Sequence, residues 1–497
     1  MEHVLRQCLI ALRLAEPLEL DEQTRATVYY TALLINVACH SDAHEQAKWF
    51  GDDIDLKAAK YDHELGSARG AVAAIRKIGA GRPPIHRFRV GLEFAIAGRR
   101  DAEAMIAQHA RLAQALAMQL GLADDVVEAL GGAYEQWDGR GWPEGIKGEG
   151  VPVASRLAQF AEFIEVAHRV GGVTAAVAMA QRRRGKQFDP KLVAVFCERA
   201  DAILTGLDST STWEIVIRAE PALTVTLTEQ EFDAALEAIA NFVDLKSPYT
   251  LGHSRAVADL TAASASQLGL PEPEVQTLRR AALVHDFGRL GVSNAILDKQ
   301  GPLGVGEWER VRAHPYFTER MLSGSPSLAP LGAIAVQHRE RLDGSGYPRG
   351  LVGGAISREA RILGAAEAYQ AMREPRPHRP ALSAAAAELA LTADVRAGRL
   401  DEQAATAVLR VAGHRVPRRS GGPAGLTPRE VEVLRLVARG LSSKDIARRL
   451  VISPKTAGNH IEHIYAKIDA SSRATASLFA MQHGLLPEEL PAAVPTP

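Results

Sequence analysis

Residues 338–350 read HRERLDGSGYPRG, and residues 134–145 read YEQWDGRGWPEG. Both carry an acid, two spacers, Asp-Gly-x-Gly, an aromatic residue and proline. Glu340 and Asp343 answer Glu135 and Asp138, each at an offset of 205. His314 answers His109, Arg361 answers Arg156 and Glu367 answers Glu162 at the same offset, so a unit is duplicated. Upstream the offset becomes 250: LGL at 268–270 lies over LEL at 18–20, and His253 over His3. The difference of 45 residues implies an insertion in the first copy, within 41–105, where GAGRPPIHR (79–87) reads as loop. Only the second copy keeps a histidine ahead of the shared stretch.

At 497 residues the chain exceeds one core, and about three domains are expected. Hydrophobic and charged shares of 46% and 24% fit a globular protein, and the low aromatic content with abundant alanine favours helices over sheets. The formal net charge of -1 excludes a general polycation, so any nucleic-acid binding needs a local patch. Cys8, Cys39 and Cys197 are odd in number, far apart and form no C-x-x-C. That points to a reducing cytoplasm and against a cysteine zinc site. Glu2, Arg6 and Arg13 interrupt the apolar N-terminus, which does not read as a signal peptide. The Ala-rich run at 383–393 contains Glu388 and is too short for a bilayer, so no membrane association is expected.

Apolar residues recur at three- and four-residue steps, as in Leu278, Ala281, Ala282 and His285, so both copies are expected to be helical. WEIVIRAEPALTVTLT at 213–228 is the one candidate for a linker strand or extended chain. A second linker, 413–425, is rich in Gly, Pro and Arg. The resulting division is 1–212, 228–412, the linker 413–425, and 426–490.

In the second copy, ALVHDFGRLGV (282–292) sets His285 beside Asp286. His253 in YTLGHS, His314 in AHPYF and His338 in QHRERLDGSGYP fall at or near expected helix ends. Neutral imidazoles with carboxylates suit Fe, Mn or Zn. A shared carboxylate can hold two ions roughly 3.5–4 Å apart, an arrangement used for phosphoester hydrolysis. His378 and His414 stand outside this set and read as capping or core residues.

In their order, GHS, HD-x-G, HP, H-x-E and DGSGYP resemble the HD-GYP branch of the HD phosphohydrolases, over about 228–412. The resemblance implies an all-helical domain with two or three iron or manganese ions that opens cyclic di-GMP. It implies that His253, His285, Asp286 and Glu367 hold one ion, and that Asp286 bridges to a second held by His314 and His338. Three departures are visible. Arg339 stands where the family has a second histidine, and arginine stays protonated and cannot ligate. Arg289 replaces the lysine after HD-x-G. Glu367 and Gln370 replace an Asp-x-x-Asp pair. One ion site is therefore expected intact and the second weakened. Asp286, Arg289 and Arg339 are the candidate catalytic residues, with Arg339 expected to grip a substrate phosphate.

In the first copy Ile35-Asn36 replaces the HD pair, and Ala133-Tyr134 replaces His338-Arg339. His3, His109 and Glu162 remain without a bridging acid, so no binuclear site is expected there. The Asp-Gly-x-Gly-aromatic-Pro turn is expected to serve the fold in both copies through its glycines and proline.

From Leu426 the pattern changes. Thr427 and Pro428 fit an N-cap and first helical position, and Val431, Leu434 and Val437 line one face before Gly440. Ser442 or Ser443 starts a second helix with Ile446, Ala447 and Leu450 inward. Ser453 and Pro454 start a third, with Ala457, Ile461, Ile464 and Ile468 buried. Lys455, Thr456, Gly458, Asn459 and Glu462 are left outside. Nine basic and five acidic residues between 426 and 485 give a local charge of +4. LTPREVEVL, GLSSKDIA and SPKT-x-x-NHI-x-x-IYAKI closely resemble the LuxR-type helix-turn-helix. That resemblance implies phosphate contacts from Lys455 and Thr456 and base reading from Gly458, Asn459 and Glu462. The family often has lysine at 458.

The expected architecture is all-α: tandem HD-like helical domains followed by a four-helix LuxR-type domain. The expected function is a cytoplasmic, homodimeric transcription regulator that binds double-stranded DNA. Its HD-GYP-like domain binds a divalent metal and hydrolyses or senses a nucleotide phosphoester, cyclic di-GMP among the candidates. The alternative is a non-catalytic metal- or nucleotide-binding sensor controlling DNA binding.

Overall fold

The computed structural model describes residues 2–44, 46, 107–207, 212–221, 226–413 and 423–486. These form helices and turns, with three isolated β-bridges and no strand. Two compact units result: Met1–Cys39 with Trp49–Ala235, and His40–Lys48 with Leu236–Pro497.

The first unit is built on α1 (Glu2–Ala15), α2 (Glu22–Leu34), α3 (Asp124–Gly131), α4 (Val153–Arg183) and α5 (Pro190–Leu204). Helix α2 begins where the Asp21 side chain accepts the Thr24 amide at 2.7 Å. Its core joins Ile10, Leu14, Val28, Leu157, Phe160, Ile164 and Phe196. Helix α4 is long and apolar enough to span a bilayer. Its path is broken at Gly171 and Gly172, and it packs on α1 and α2.

The stretch expected as a linker strand or extended chain begins instead as a helix, α6 (Thr212–Arg218). Val216 is buried there and its carbonyl accepts the Tyr29 hydroxyl at 3.0 Å, while Trp213 and Ile215 lean on the same core. Packing overrides the β-branched preference of this segment.

The second unit begins within α7 (Glu229–Asp244), and α7 with α8 (His253–Gln267), α9 (Glu272–Val284), α10 (His314–Leu322), α11 (Ala329–Ala335), α12 (Arg358–Arg373), α13 (Ala384–Arg396) and α14 (Glu402–Gly413) builds the candidate metal domain. Helices α2 and α9 correspond residue for residue at an offset of 250, and α4 and α12 start 205 residues apart. Short helices at Asn294–Leu297 and Val305–Arg312 lie between α9 and α10, and four helices follow: α15 (Pro428–Ala438), α16 (Ser443–Leu450), α17 (Pro454–Lys467) and α18 (Arg473–Gln482). The expected loop at 79–87, most of the linker 413–425 and His414 lie outside the described residues.

Candidate metal centre and nucleic-acid interface

Helix ends place the four histidines and Asp286, whereas Glu367 lies inside α12. Gly252, at φ +74°, turns the chain so that His253 is the first residue of α8. His285 closes α9, and Asp286 leads into the 3-10 turn Phe287–Gly291. His314 opens α10, and His338 follows α11. The glycine of HD-x-G has a steric cause: a Cβ on Gly288 would lie 1.9 Å from the His314 carbonyl oxygen. Thr318 locks this approach, accepting the Gly288 amide at 2.9 Å and donating to the His285 carbonyl at 3.0 Å.

Four imidazoles face one carboxylate. His253 Nε2 and His285 Nε2 lie 3.6 and 3.4 Å from Asp286 Oδ2, and His314 Nε2 and His338 Nε2 lie 3.4 and 3.7 Å from Oδ1. All five side chains are buried. On the far side, the Nδ1 atoms of His285, His314 and His338 lie 2.6, 2.6 and 2.7 Å from the carbonyls of Ala282, Val311 and Ala335. A proton on Nδ1 leaves the Nε2 lone pair free to coordinate.

Burial lowers the pKa of His253, His314 and His338, so these rings are neutral, as ligands must be. For His285 burial also lowers the pKa, but Asp286 outweighs it and the net direction is up. Burial would raise the Asp286 pKa; Arg289 and His285 override it and hold this carboxyl well below its usual range. No hydrogen bond satisfies His253 Nε2 or His285 Nε2, and the Asp286 carboxylate, besides the four imidazoles, meets the Arg289 guanidinium at Oδ2. Buried polar atoms seldom lack partners. The donor atoms form two groups, His253–His285–Asp286 and Asp286–His314–His338, each tight enough for one ion. This nitrogen–oxygen set fits Fe, Mn or Zn.

Arg289 Nε lies 2.9 Å from Asp286 Oδ2, at the edge of the centre. Arg339 turns to Glu367, Nη2 to Oε1 at 2.5 Å. Burial would raise the Glu367 pKa, and Arg339 reverses the shift. Neither three-residue group includes Glu367.

Two residues absent from the sequence-based set hold the start of α8, Glu374 at His253 and Asp244 at Ser254. Glu374 Oε2 lies 2.8 Å from His253 Nδ1. Asp244 accepts the Ser254 amide and hydroxyl at 2.9 and 2.8 Å, and burial pushes its pKa up to about 8. Glu374 lies beyond the end of α12, and no spacing rule pointed to either residue.

The repeated loop has a structural cause common to both copies. Glu135 Oε1 accepts the amides of Glu144 and Gly145, while Glu340 accepts those of Arg349 and Leu351. Gly139 and Gly344 have φ of +78° and +81°. A Cβ on Gly141 or Gly346 would meet backbone at 2.3 Å.

In the nucleic-acid module, Thr427 and Glu430 form a capping box, and Ser442 and Ser453 cap α16 and α17. Val433, Leu434, Ile446, Ala457 and Ile464 make its core; Leu450, Ile461 and Ile468 are partly buried against it. On α17, Lys455, Thr456, Asn459 and Glu462 are exposed and Gly458 is half-buried. The module touches the metal domain at the loop before α8. The Gly252 amide lies 3.0 Å from Met481 Sδ, Arg255 donates to the Met481 carbonyl, and Leu251 joins the module's core.

A family model described as "HD domain" matches residues 99–192 and 237–403. One described as "Bacterial regulatory proteins, luxR family" matches 424–480. The "3'3'-cGAMP-specific phosphodiesterase 3" of Vibrio cholerae serotype O1 is 34% identical over 386 residues, covering 77% of this chain and 84% of that protein. The "Cyclic di-GMP phosphodiesterase response regulator RpfG" of Xanthomonas campestris pv. campestris is 36% identical over 185 residues, 37% of this chain and 48% of that protein. A crystal structure of a cyclic GMP-AMP specific phosphodiesterase of V. cholerae superposes with a TM-score of 0.57 at 28% identity, covering 83% of this chain and 93% of that one.

Proposed function

The chain belongs to the HD-domain family and carries a LuxR-family DNA-binding domain, and from that premise we propose a transcription regulator whose second HD unit hydrolyses a cyclic dinucleotide with the help of divalent metal. One observation carries the proposal: four Nε2 atoms face one buried carboxylate, that of Asp286. The substrate class comes from the relatives named for 3'3'-cGAMP and cyclic di-GMP.

A bound Fe or Mn ion supplies Lewis acidity and an activated water. His253 and His285 would hold one ion and His314 and His338 another, with Asp286 a donor common to both groups. Arg289 contacts a substrate phosphate by a charge-assisted hydrogen bond. The Tyr347 ring, 6.1 Å from His314 with the Arg312 guanidinium 6.0 Å from its centroid, offers a base a stacking surface at the rim. Arg339 neutralises Glu367 and positions it. The second reading, a sensor without turnover, draws support from that same pair, which commits Glu367 to a guanidinium.

The protein acts in the cytoplasm, as a homodimer on paired half-sites. Lys455 and Thr456 contact phosphate, and Gly458, Asn459 and Glu462 face the groove. The loop through Leu251 and Gly252 connects the metal site to α18, so ligand at the site changes operator affinity.

The test is Mn(II)-loaded protein incubated with 3'3'-cGAMP and with cyclic di-GMP. Linear product from either, lost on chelation, is expected. Tight binding of either nucleotide with no product establishes the sensor. Neither binding nor product overturns both.

A further inference from the structure

Three of the four imidazoles facing Asp286 have a backbone carbonyl at Nδ1. His253 alone has a carboxylate there, Glu374 Oε2 at 2.8 Å. Glu374 is itself held from two sides: Arg376 Nη2 lies 3.0 Å from Oε2, and Gln370 Nε2 donates to Oε1 at 3.0 Å. Arg376 is anchored in turn, donating to the Tyr249 carbonyl at 2.6 Å in the loop that leads to His253. Burial would raise the Glu374 pKa, but His253 and Arg376 hold it down at about 2.

The duplication isolates the segment that brings this carboxylate. From His109 and His314 through Arg156 and Arg361 the offset between copies is 205, whereas the arginines' partners Asp189 and Asp401 are 212 apart. The second copy therefore carries seven extra residues between these points. The end of α12 and the start of α13 bracket Glu374–Ser383, while the first copy has only the break at Gly171–Gly172. There His3 meets Glu165, the counterpart of Gln370, from the helix itself. A carboxylate at this histidine is thus present in both copies, supplied from different places. Among the described residues, a candidate metal group stands at the opposite nitrogen in the second copy, at His253.

We propose that Glu374 is a positioning residue that orients His253, strengthens its Nε2 as a donor, and makes His253–His285–Asp286 the tighter of the two metal positions. A carboxylate at Nδ1 fixes the tautomer and raises ligand basicity more than a carbonyl does, and loss of such a partner typically weakens metal affinity about 10–100-fold. The inference rests on the metal-centre reading above.

The experiment is calorimetric titration of metal-free full-length protein with Mn(II), with a thermal melt of each metal-free variant. Wild type should bind in two steps. Glu374→Gln should weaken the tighter step about 10–100-fold and spare the weaker one. Glu374→Asp should restore most of that loss. His314→Ala should remove the weaker step and keep the tighter. Were Glu374→Gln not to fold, Gln370→Ala, which frees only Oε1, should weaken the same step by a smaller factor. Unchanged Mn(II) affinities in Glu374→Gln and Gln370→Ala, with only a lower melting temperature, would mean that Glu374 merely pins the helix start, and would overturn the proposal. Weakening confined to the weaker step would overturn it too. If wild type takes up no Mn(II), the metal-centre reading itself falls, a result distinct from any variant outcome.

Discussion

At the centre of the first copy, Cys39 Sγ lies 3.7 Å from Asn36 Oδ1 and 3.6 Å from the Tyr134 hydroxyl, which also approaches the Ile35 carbonyl at 3.4 Å. The same positions in the second copy hold Asp286 for Asn36, His285 for Ile35, His338 for Ala133 and Arg339 for Tyr134. A phenol and an aliphatic side chain thus stand where imidazoles and a guanidinium stand. Around them the surroundings are alike. Glu135 and Glu340 tie down the same loop, and the Nε atoms of Arg156 and Arg361 donate to the Val151 and Ile356 carbonyls at 2.9 and 3.0 Å. The comparison separates what the fold needs from what the chemistry needs. Loop acid, glycines and arginine are structural; the histidines and the aspartate are not.

The largest effect should fall on the centre itself. Asp286→Asn is expected to empty both metal positions, because one carboxylate serves both, while Asn36→Asp in the first copy should add no metal. Metal analysis of purified protein reads both. Metal gained by Asn36→Asp, or retained by Asp286→Asn, would erase the distinction between the copies.

Next come the shared glycines. Gly141→Ala and Gly346→Ala each force a Cβ against backbone, and each should cost its own unit about 3 kcal/mol or more in denaturant unfolding. A severe loss in one copy only would contradict a common structural role.

Metal addition should divide the copies again. Mn(II) at about 100 times its dissociation constant should stabilise the second unit by about 2.7 kcal/mol and leave the unfolding of the first unmoved. Chelation should reverse the shift.

The smallest effect concerns the loop acids. Glu135→Gln and Glu340→Gln weaken charge-assisted bonds to two amides each, about 1–2 kcal/mol in either copy, with metal content unchanged. Loss of metal in Glu340→Gln would make that acid part of the centre after all.

The helix-turn-helix was legible almost residue by residue, since caps at Thr427, Ser442 and Ser453 and the stripe through Ala457 and Ile464 depend on local spacing. Offsets of 205 and 250 placed the corresponding helices of the two copies correctly. The segment at 213–218 was misread because its β-branched residues favour extended chain until Val216 is buried in the core. Arg339 and Glu367 were read as separate actors, since nothing in their spacing of 28 residues announces an ion pair.

By itself, then, the sequence determined the helical class, the duplication and the DNA-binding tail, and it singled out the histidines and Asp286 of the second copy. Each of these depends on residue type and local period, which a linear string records. Tertiary structure alone decided that four Nε2 atoms face Asp286, that Glu374 stands behind His253, and that Arg339 neutralises Glu367. Those relations join residues on different helices. They follow from burial, which penalises any unpaired charge and so selects partners by position in space rather than distance along the chain.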